Sequence, residues 1–223
     1  MENAVTIKTS LLVLDTDKSI LEPASMLRGC IGRRFLEYPT FHNHVGDRYL
    51  KSYPRIQYKI IDNKGYVLGI EEGAKLIKMI SEMKELSIGN SVYNIKQKTF
   101  HDKDEVIMPT RKFFQYKFLT PWLPLDEKNY PKFKSLRDWK DRKMMLNKIL
   151  VGNIITMCKG LSFDVEPNIY AHTKIKEMRS IHQDIIFTSF IGEFRTNFKI
   201  PDFFGIGNGV SHGFGTVKNE EIL

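Results

Sequence analysis

Hydrophobic positions in the first hundred residues switch between a period of two and a period near 3.6. Val5 to Leu14 is rich in β-formers and partly alternating, with Val5 and Ile7 set against Lys8 and Thr9. Pro23 to Leu36 opens on proline and carries Met26, Leu27, Cys30, Ile31 and Phe35 at helical spacing. From Pro54 to Asp62, Ile56, Tyr58 and Ile60 alternate with Arg55, Gln57 and Lys59. Asn63-Lys64-Gly65 reads as a turn and Tyr66 to Ile70 as the return strand. Gly73 to Leu86 has Leu76, Ile77, Ile80 and Met83 on one helical face, and Ser91 to Phe100 closes the pattern as a strand. Strand, helix, strand, strand, helix, strand is the order of the ferredoxin-like split unit.

The second half is less clean. Arg111 to Leu119 is strand-like, and Thr120-Pro121-Trp122-Leu123-Pro124 is a stiff turn. Tyr130 to Lys134 leads into a helical stretch ending near Lys159, with Leu136, Trp139, Met144, Leu146, Ile149, Leu150 and Ile154 as its apolar positions. Ile169 to Lys176, Met178 to Arg179 and Gln183 to Gly192 read as strands. Glu193 to Phe198 fits helix or strand, and Thr216-Val217-Lys218 a final strand. A helix-on-sheet unit accommodates this half too.

At 223 residues the chain suits one large domain or two small ones. Cys30 and Cys158 are its two cysteines, which excludes a disulfide framework and a cysteine-rich zinc module and favours a reducing cytoplasm. The first residues lack a signal-peptide core, and no apolar stretch is long enough to span a membrane. The formal charge of +8 favours an anionic partner, nucleic acid or a membrane surface. Between Arg111 and Lys159, twelve basic residues face four acidic ones, so this stretch matches the whole chain's excess. Tyr116, Phe118, Trp122, Tyr130, Phe133 and Trp139 are interleaved with them. Cations pair with phosphates and aromatic rings stack on bases, a combination that suits single-stranded nucleic acid. A solvated helix face beside ordinary core aromatics has the same composition. Lys140, Arg142 and Lys143 are the candidate contacts within it.

Candidate chemistry sits at two further places. Near the C-terminus, Gly205, Gly207, Gly209, Gly213 and Gly215 place five of 15 glycines within eleven positions, among Asn208, Ser211 and His212. So much glycine predicts a main chain that approaches something closely, most simply phosphates held by bare N–H groups. The spacing fits neither a Walker loop nor a dinucleotide fingerprint. Near the N-terminus, Phe41-His42-Asn43-His44 sets two histidines two apart, ahead of Arg48, Tyr49, Lys51 and Tyr53. On a strand both would face one side, and in a loop they can converge equally well. They form a metal half-site if a third ligand joins, or a general acid–base pair, or polar loop residues with no chemistry. Cleavage of RNA by its own 2′-hydroxyl needs a base, an acid and a cation, here Lys51 or Arg48.

Leu27-Arg28-Gly29, then Phe41-His42-Asn43-His44, then Tyr53-Pro54-Arg55-Ile56-Gln57-Tyr58-Lys59 resemble the N-terminal part of the CRISPR repeat-processing endoribonucleases, in the "b" branch of the sixth CRISPR-associated family. The closing Gly205 to Gly215 segment resembles the glycine-rich loop of the wider repeat-associated RNA-binding superfamily. The resemblance implies an α+β protein of two tandem ferredoxin-like (RRM-like) domains, residues 1–108 with the histidine pair and residues 109–223 with the glycine loop. It implies a cytoplasmic, metal-independent enzyme without cofactor. Such an enzyme cuts precursor CRISPR RNA within repeats to leave a 2′,3′-cyclic phosphate or 3′-phosphate and a 5′-hydroxyl. His42 and His44 match the family's catalytic pair. Lys51 stands where the family pattern leads one to expect an aromatic, so Tyr49 and Lys51 both join the catalytic candidates. Arg28, Arg34, Arg55 and Lys59, with Lys140, Arg142, Lys143, the five glycines, Ser211 and His212, are the RNA-binding candidates. Repeat RNA is the expected partner, other CRISPR effector subunits are candidate partners, and monomer and homodimer stay open. The competing reading is a non-catalytic guide-RNA-binding subunit of an effector complex.

Overall fold

The structure is a computed structural model that describes residues 4–42, 44–45, 48–49, 53–165, 168–182 and 185–220. Two compact units divide the chain. One is Thr6–Glu105 with Val210–Gly213; the other is Val106–Gly209 and the chain from Phe214 on, with the residues before Thr6.

In the first unit, β1 (Val5–Thr16) is followed by α1 (Ala24–Arg34), which starts behind the extended Pro23. A short α2 (Pro39–His42) and the two-residue strands β2 (His44–Val45) and β3 (Arg48–Tyr49) precede β4 (Ile56–Ile61) and β5 (Lys64–Ile70). Asp62 and Asn63 join β4 to β5 with φ of 50° and 60°, the two left-handed positions of a tight hairpin turn. The turn expected at Asn63-Lys64-Gly65 thus sits one residue earlier. Lys64 already pairs with Ile61, and Gly65 is a buried strand residue opposite Leu14 and Ile60.

The helix expected over Gly73–Leu86 is cut short. α3 (Glu72–Leu76) tightens into a 3-10 turn over Ile77–Glu82, and β6 (Glu85–Ile88) then pairs with the start of β7 (Ser91–Phe118). Ile77 and Ile80 meet the core at 3-10 spacing. Leu86 and Ile88 are buried while Glu85 and Ser87 are exposed, a period of two that belongs to a strand. The sheet order β4-β5-β1-β7 is that of a ferredoxin-like unit. Its buried face packs Leu12, Leu14, Ile56, Tyr58 and Val67 against Leu27, Ile31, Phe35 and Phe41. Each such side chain contributes roughly 1.5–3 kcal/mol of apolar burial.

Two strands were expected where the single 28-residue β7 runs. Pro109 lies inside it, tolerated where the register against β9 (Ile185–Lys199) shifts between Pro109 and Phe114. In the second unit β7 is followed by α4 (Asn129–Ser135), α5 (Trp139–Gly160), β8 (Ala171–His182), β9 and β10 (Val217–Asn219). α4 and α5 are separate helices because Leu136 is extended and Asp138 caps α5, accepting from Lys140 N at 2.8 Å. Glu193–Phe198, undecided by pattern, is strand. β10, β7, β9 and β8 lie side by side in that order, again the ferredoxin-like arrangement. No α-helix lies between β9 and β10 among the described residues; the glycine-rich segment runs there, and its 3-10 turn at Val210–His212 belongs to the first unit. No helix among the described residues is long and apolar enough to cross a membrane.

Candidate functional site

Arg28 organises the site in the first unit. It lies on α1 beside Leu27, which anchors that helix in the core. One guanidinium nitrogen, Nη1, is 2.6 Å from His212 Nε2, and the other, Nη2, donates to the His42 carbonyl. A guanidinium only donates, so His212 Nε2 must accept and its ring hydrogen sits on Nδ1, 3.4 Å from Ser211 Oγ. The fork therefore ties the helix ahead of the first histidine motif to the histidine of the glycine segment.

His42 ends α2 and is seated by its neighbours. Its Nε2 is 3.3 Å from the Phe35 carbonyl, which only accepts, so Nε2 carries a hydrogen and Nδ1 is the basic nitrogen of the neutral ring. Gly32 lies beneath the ring: a Cβ there would come within 3.0 Å of His42 Cε1 and Nδ1. Phe41, the residue before His42, is itself buried and stacks on Phe35 at 4.7 Å. The Tyr58 hydroxyl donates to the Phe41 carbonyl at 3.1 Å, and burial pushes its pKa far up, so it stays a donor. Pattern reading had passed over Gly32, Phe35 and Tyr58 as site residues. A glycine inside a predicted helix was the available signal, because it weakens the helix unless something must approach closely.

His44 begins β2 and pairs with Tyr49 of β3, and Val45 pairs with Arg48. The two histidines therefore do not share one strand. One ends a helix and the other starts a hairpin. Lys51 lies outside the described residues.

The basic candidates divide. Arg34 is exposed in the last turn of α1, where a cation also complements the helix dipole. Arg55 is partnered: its Nε is 3.4 Å from Glu72 Oε1. Lys59 requires a correction. It is 0% exposed and its amine donates to Gln57 Oε1 at 3.0 Å, so it presents nothing for RNA to touch. Burial lowers its pKa from 10.5 to about 7. Below about pH 7 the folded protein bears the full penalty of an enclosed ammonium. As pH rises from about 7 toward 10.5 the unfolded chain holds the extra proton, so relative stability climbs by at most about 1.4 kcal/mol per pH unit. Lys59→Met is therefore expected to raise the urea midpoint at pH 6 and to lose much of that gain at pH 9.5. An equal gain at both pH values would contradict this. On α5, Lys140 and Lys143 are exposed, whereas Arg142 donates to the Leu136 carbonyl at 2.8 Å and lies over the Phe133 ring at 5.1 Å.

The glycine segment also departs from expectation. Several of its amides bond inside the protein. Asn208 N donates to Leu123 O, Gly213 N to Val210 O, Phe214 N to Gly209 O and Gly215 N to Pro121 O. Gly205 bridges to Thr216, and Gly205, Gly213, Gly215 and Ser211 are buried. Close approach is real, but its partner is protein. Gly207 lies against the Trp122 indole, and Gly213 against Ala24 and the Tyr58 carbonyl at φ +92°. The segment packs closely on protein and places His212 beside Arg28.

Comparison with known proteins follows the same lines. Models of the Cas6b N-terminal domain and the Cas6b C-terminal domain match residues 5–106 and 108–220. MJ0978, an uncharacterized protein of Methanocaldococcus jannaschii, is 38% identical over 145 residues, 65% of this chain and 98% of that protein. A crystal structure of Cas6b superposes with a TM-score of 0.88 at 32% identity, covering 97% of this chain and 100% of that one. A second, of the CRISPR RNA processing endoribonuclease Cas6b, gives 0.77 at 28% identity, covering 96% and 100%. Matched by both domain models and sharing its fold along nearly its whole length with a solved relative, the chain belongs to the Cas6b family.

Proposed function

We propose that this protein is an endoribonuclease that cuts precursor CRISPR RNA within repeats, using His42 and His44 as a general acid–base pair and no metal ion. One of the pair takes the proton from the 2′-hydroxyl beside the scissile bond. The freed O2′ attacks the adjacent phosphorus, the P–O5′ bond breaks, and the other histidine protonates the departing O5′. The products are a 2′,3′-cyclic phosphate, open to hydrolysis to a 3′-phosphate, and a 5′-hydroxyl. Lys51 and Tyr49 are the proposed supports for the charge growing on the phosphate. Residues 1–108 carry the histidine pair in this reading, and residues 109–223 the glycine-rich segment.

The observation that supports the reading best is the seating of His42. Gly32, the Phe35 carbonyl and the Arg28 fork hold it, and that fork also holds His212 of the glycine segment. Catalytic geometry needs this kind of support, because a small misplacement of a reacting group is costly in rate. The relative at 28% identity is itself a CRISPR RNA processing endoribonuclease.

The test is incubation with repeat RNA in EDTA, with the product ends mapped. Cleavage at one position within the repeat, a 5′-hydroxyl end and a rate unaffected by the chelator are expected. A deoxyribose at the nucleotide before the cut should abolish it. Loss of activity in EDTA, or cleavage of the deoxy substrate, would overturn the mechanism. Tight binding of repeat RNA without any cleavage would favour the non-catalytic guide-RNA-binding subunit.

A further inference from the structure

The second unit holds a pocket that the histidine chemistry does not use. It lies among α4, the first turns of α5 and β8, with a volume of about 310 Å³. That is at the small end of the roughly 300–1,000 Å³ range of ligand pockets, a size for one nucleotide-like group rather than a duplex. Phe133 and Arg142 form part of its wall, the guanidinium lying over the ring and donating to the Leu136 carbonyl. Lys143 and Lys174 bring two more cations. The carboxylate of the wall, Glu177, is already paired with Lys134 at 3.3 Å, so the lining is net positive.

Trp139 completes the wall and is the anomaly. It is 66% exposed, whereas Trp122, the chain's other tryptophan, is 0% exposed. A large indole left open beside lysines is the arrangement that single-strand binders use: bases stack on the ring and phosphates pair with the cations. We infer that this pocket is a nucleotide subsite, in which one unpaired base stacks on Trp139 while its phosphate lies on Lys143 and Lys174. The inference rests on the RNA-processing reading above and adds to it a place where RNA is held as a single strand, in a different unit from the histidine pair.

Octauridylate is the probe, titrated into the full-length protein. Binding should quench the tryptophan emission of the wild type and leave that of Trp139→Phe unchanged, because the buried Trp122 is then the only emitter. By anisotropy of a labelled octauridylate, Trp139→Ala should bind about 5- to 150-fold more weakly, and Trp139→Phe within about threefold of wild type. Lys143→Ala should flatten the log K against log salt slope by about 0.7. The exposure of Trp139 means that Trp139→Ala should melt with the wild type; should it fail to fold, the quenching comparison with Trp139→Phe still decides. Binding without quenching, or undiminished affinity of Trp139→Ala, would overturn the subsite. Cleavage of repeat RNA without quenching sinks the subsite and spares the nuclease. Quenching without cleavage sinks the nuclease and spares the subsite.

Discussion

His44→Ala should slow single-turnover cleavage of repeat RNA by about 10²–10⁴-fold while changing its equilibrium binding little, since one positioned acid or base is typically worth that much. His42→Ala should fall into the same range. The double variant should be far less impaired than the product of the two, because the groups act on one transition state. A bell-shaped rate profile in wild type, reduced to a single limb in either variant, would identify which limb belongs to which histidine. Arg28→Lys tests the support behind His42. An ammonium keeps the charge but not the fork, so it cannot reach both the His42 carbonyl and His212 Nε2. Loss of a charge-assisted bond of roughly 1.5–3 kcal/mol predicts a rate deficit on the order of tenfold or more, with the chain still folded. Wild-type rates in His44→Ala would remove this account of the chemistry.

Gly215→Ala is expected to give a large loss of stability. Gly215 has φ +65°, and a Cβ there would stand 1.9 Å from the Ile206 carbonyl oxygen, which is main chain and has no rotamer to yield. Its own N–H and C=O are bonded to Pro121 O at 2.8 Å and from Ile206 N at 2.9 Å, so moving it breaks both. Strain plus the displaced ladder places the cost at roughly 3–5 kcal/mol, about 10 °C in melting temperature for a chain of this size. Gly152→Ala is the contrasting control. It sits inside α5 with nothing within 4 Å of the added carbon, so the better helix former should gain roughly 0.5–1 kcal/mol. Equal melting temperatures for the two variants would contradict the packing argument.

Much of the architecture was legible because it is written locally. Ile56, Tyr58 and Ile60 alternate with polar neighbours, and Leu27, Ile31 and Phe35 recur at helical spacing, so β4 and α1 follow from their own segments. The Gly73–Leu86 stretch misled because Ile77 and Ile80 satisfy a 3-10 turn as well as an α-helix, and the strand character of Leu86 and Ile88 emerges only against β7. The tandem arrangement and the catalytic role given to the histidine pair came from the resemblance rather than from periodicity.

Side-chain types and spacing were enough to single out both histidine-bearing motifs, the basic helix and the class of fold. They could not say that Lys59 is enclosed, that the Gly213 and Gly215 amides bond within the protein, or that His212 meets Arg28. Alternation tells which residues share a face but not whether that face is later covered. Arg28 and His212 stand 184 positions apart, so no local pattern relates them. Their contact lies within the first unit, of which the Val210–Gly213 turn is part, and long-range closure of that kind is a property of packing.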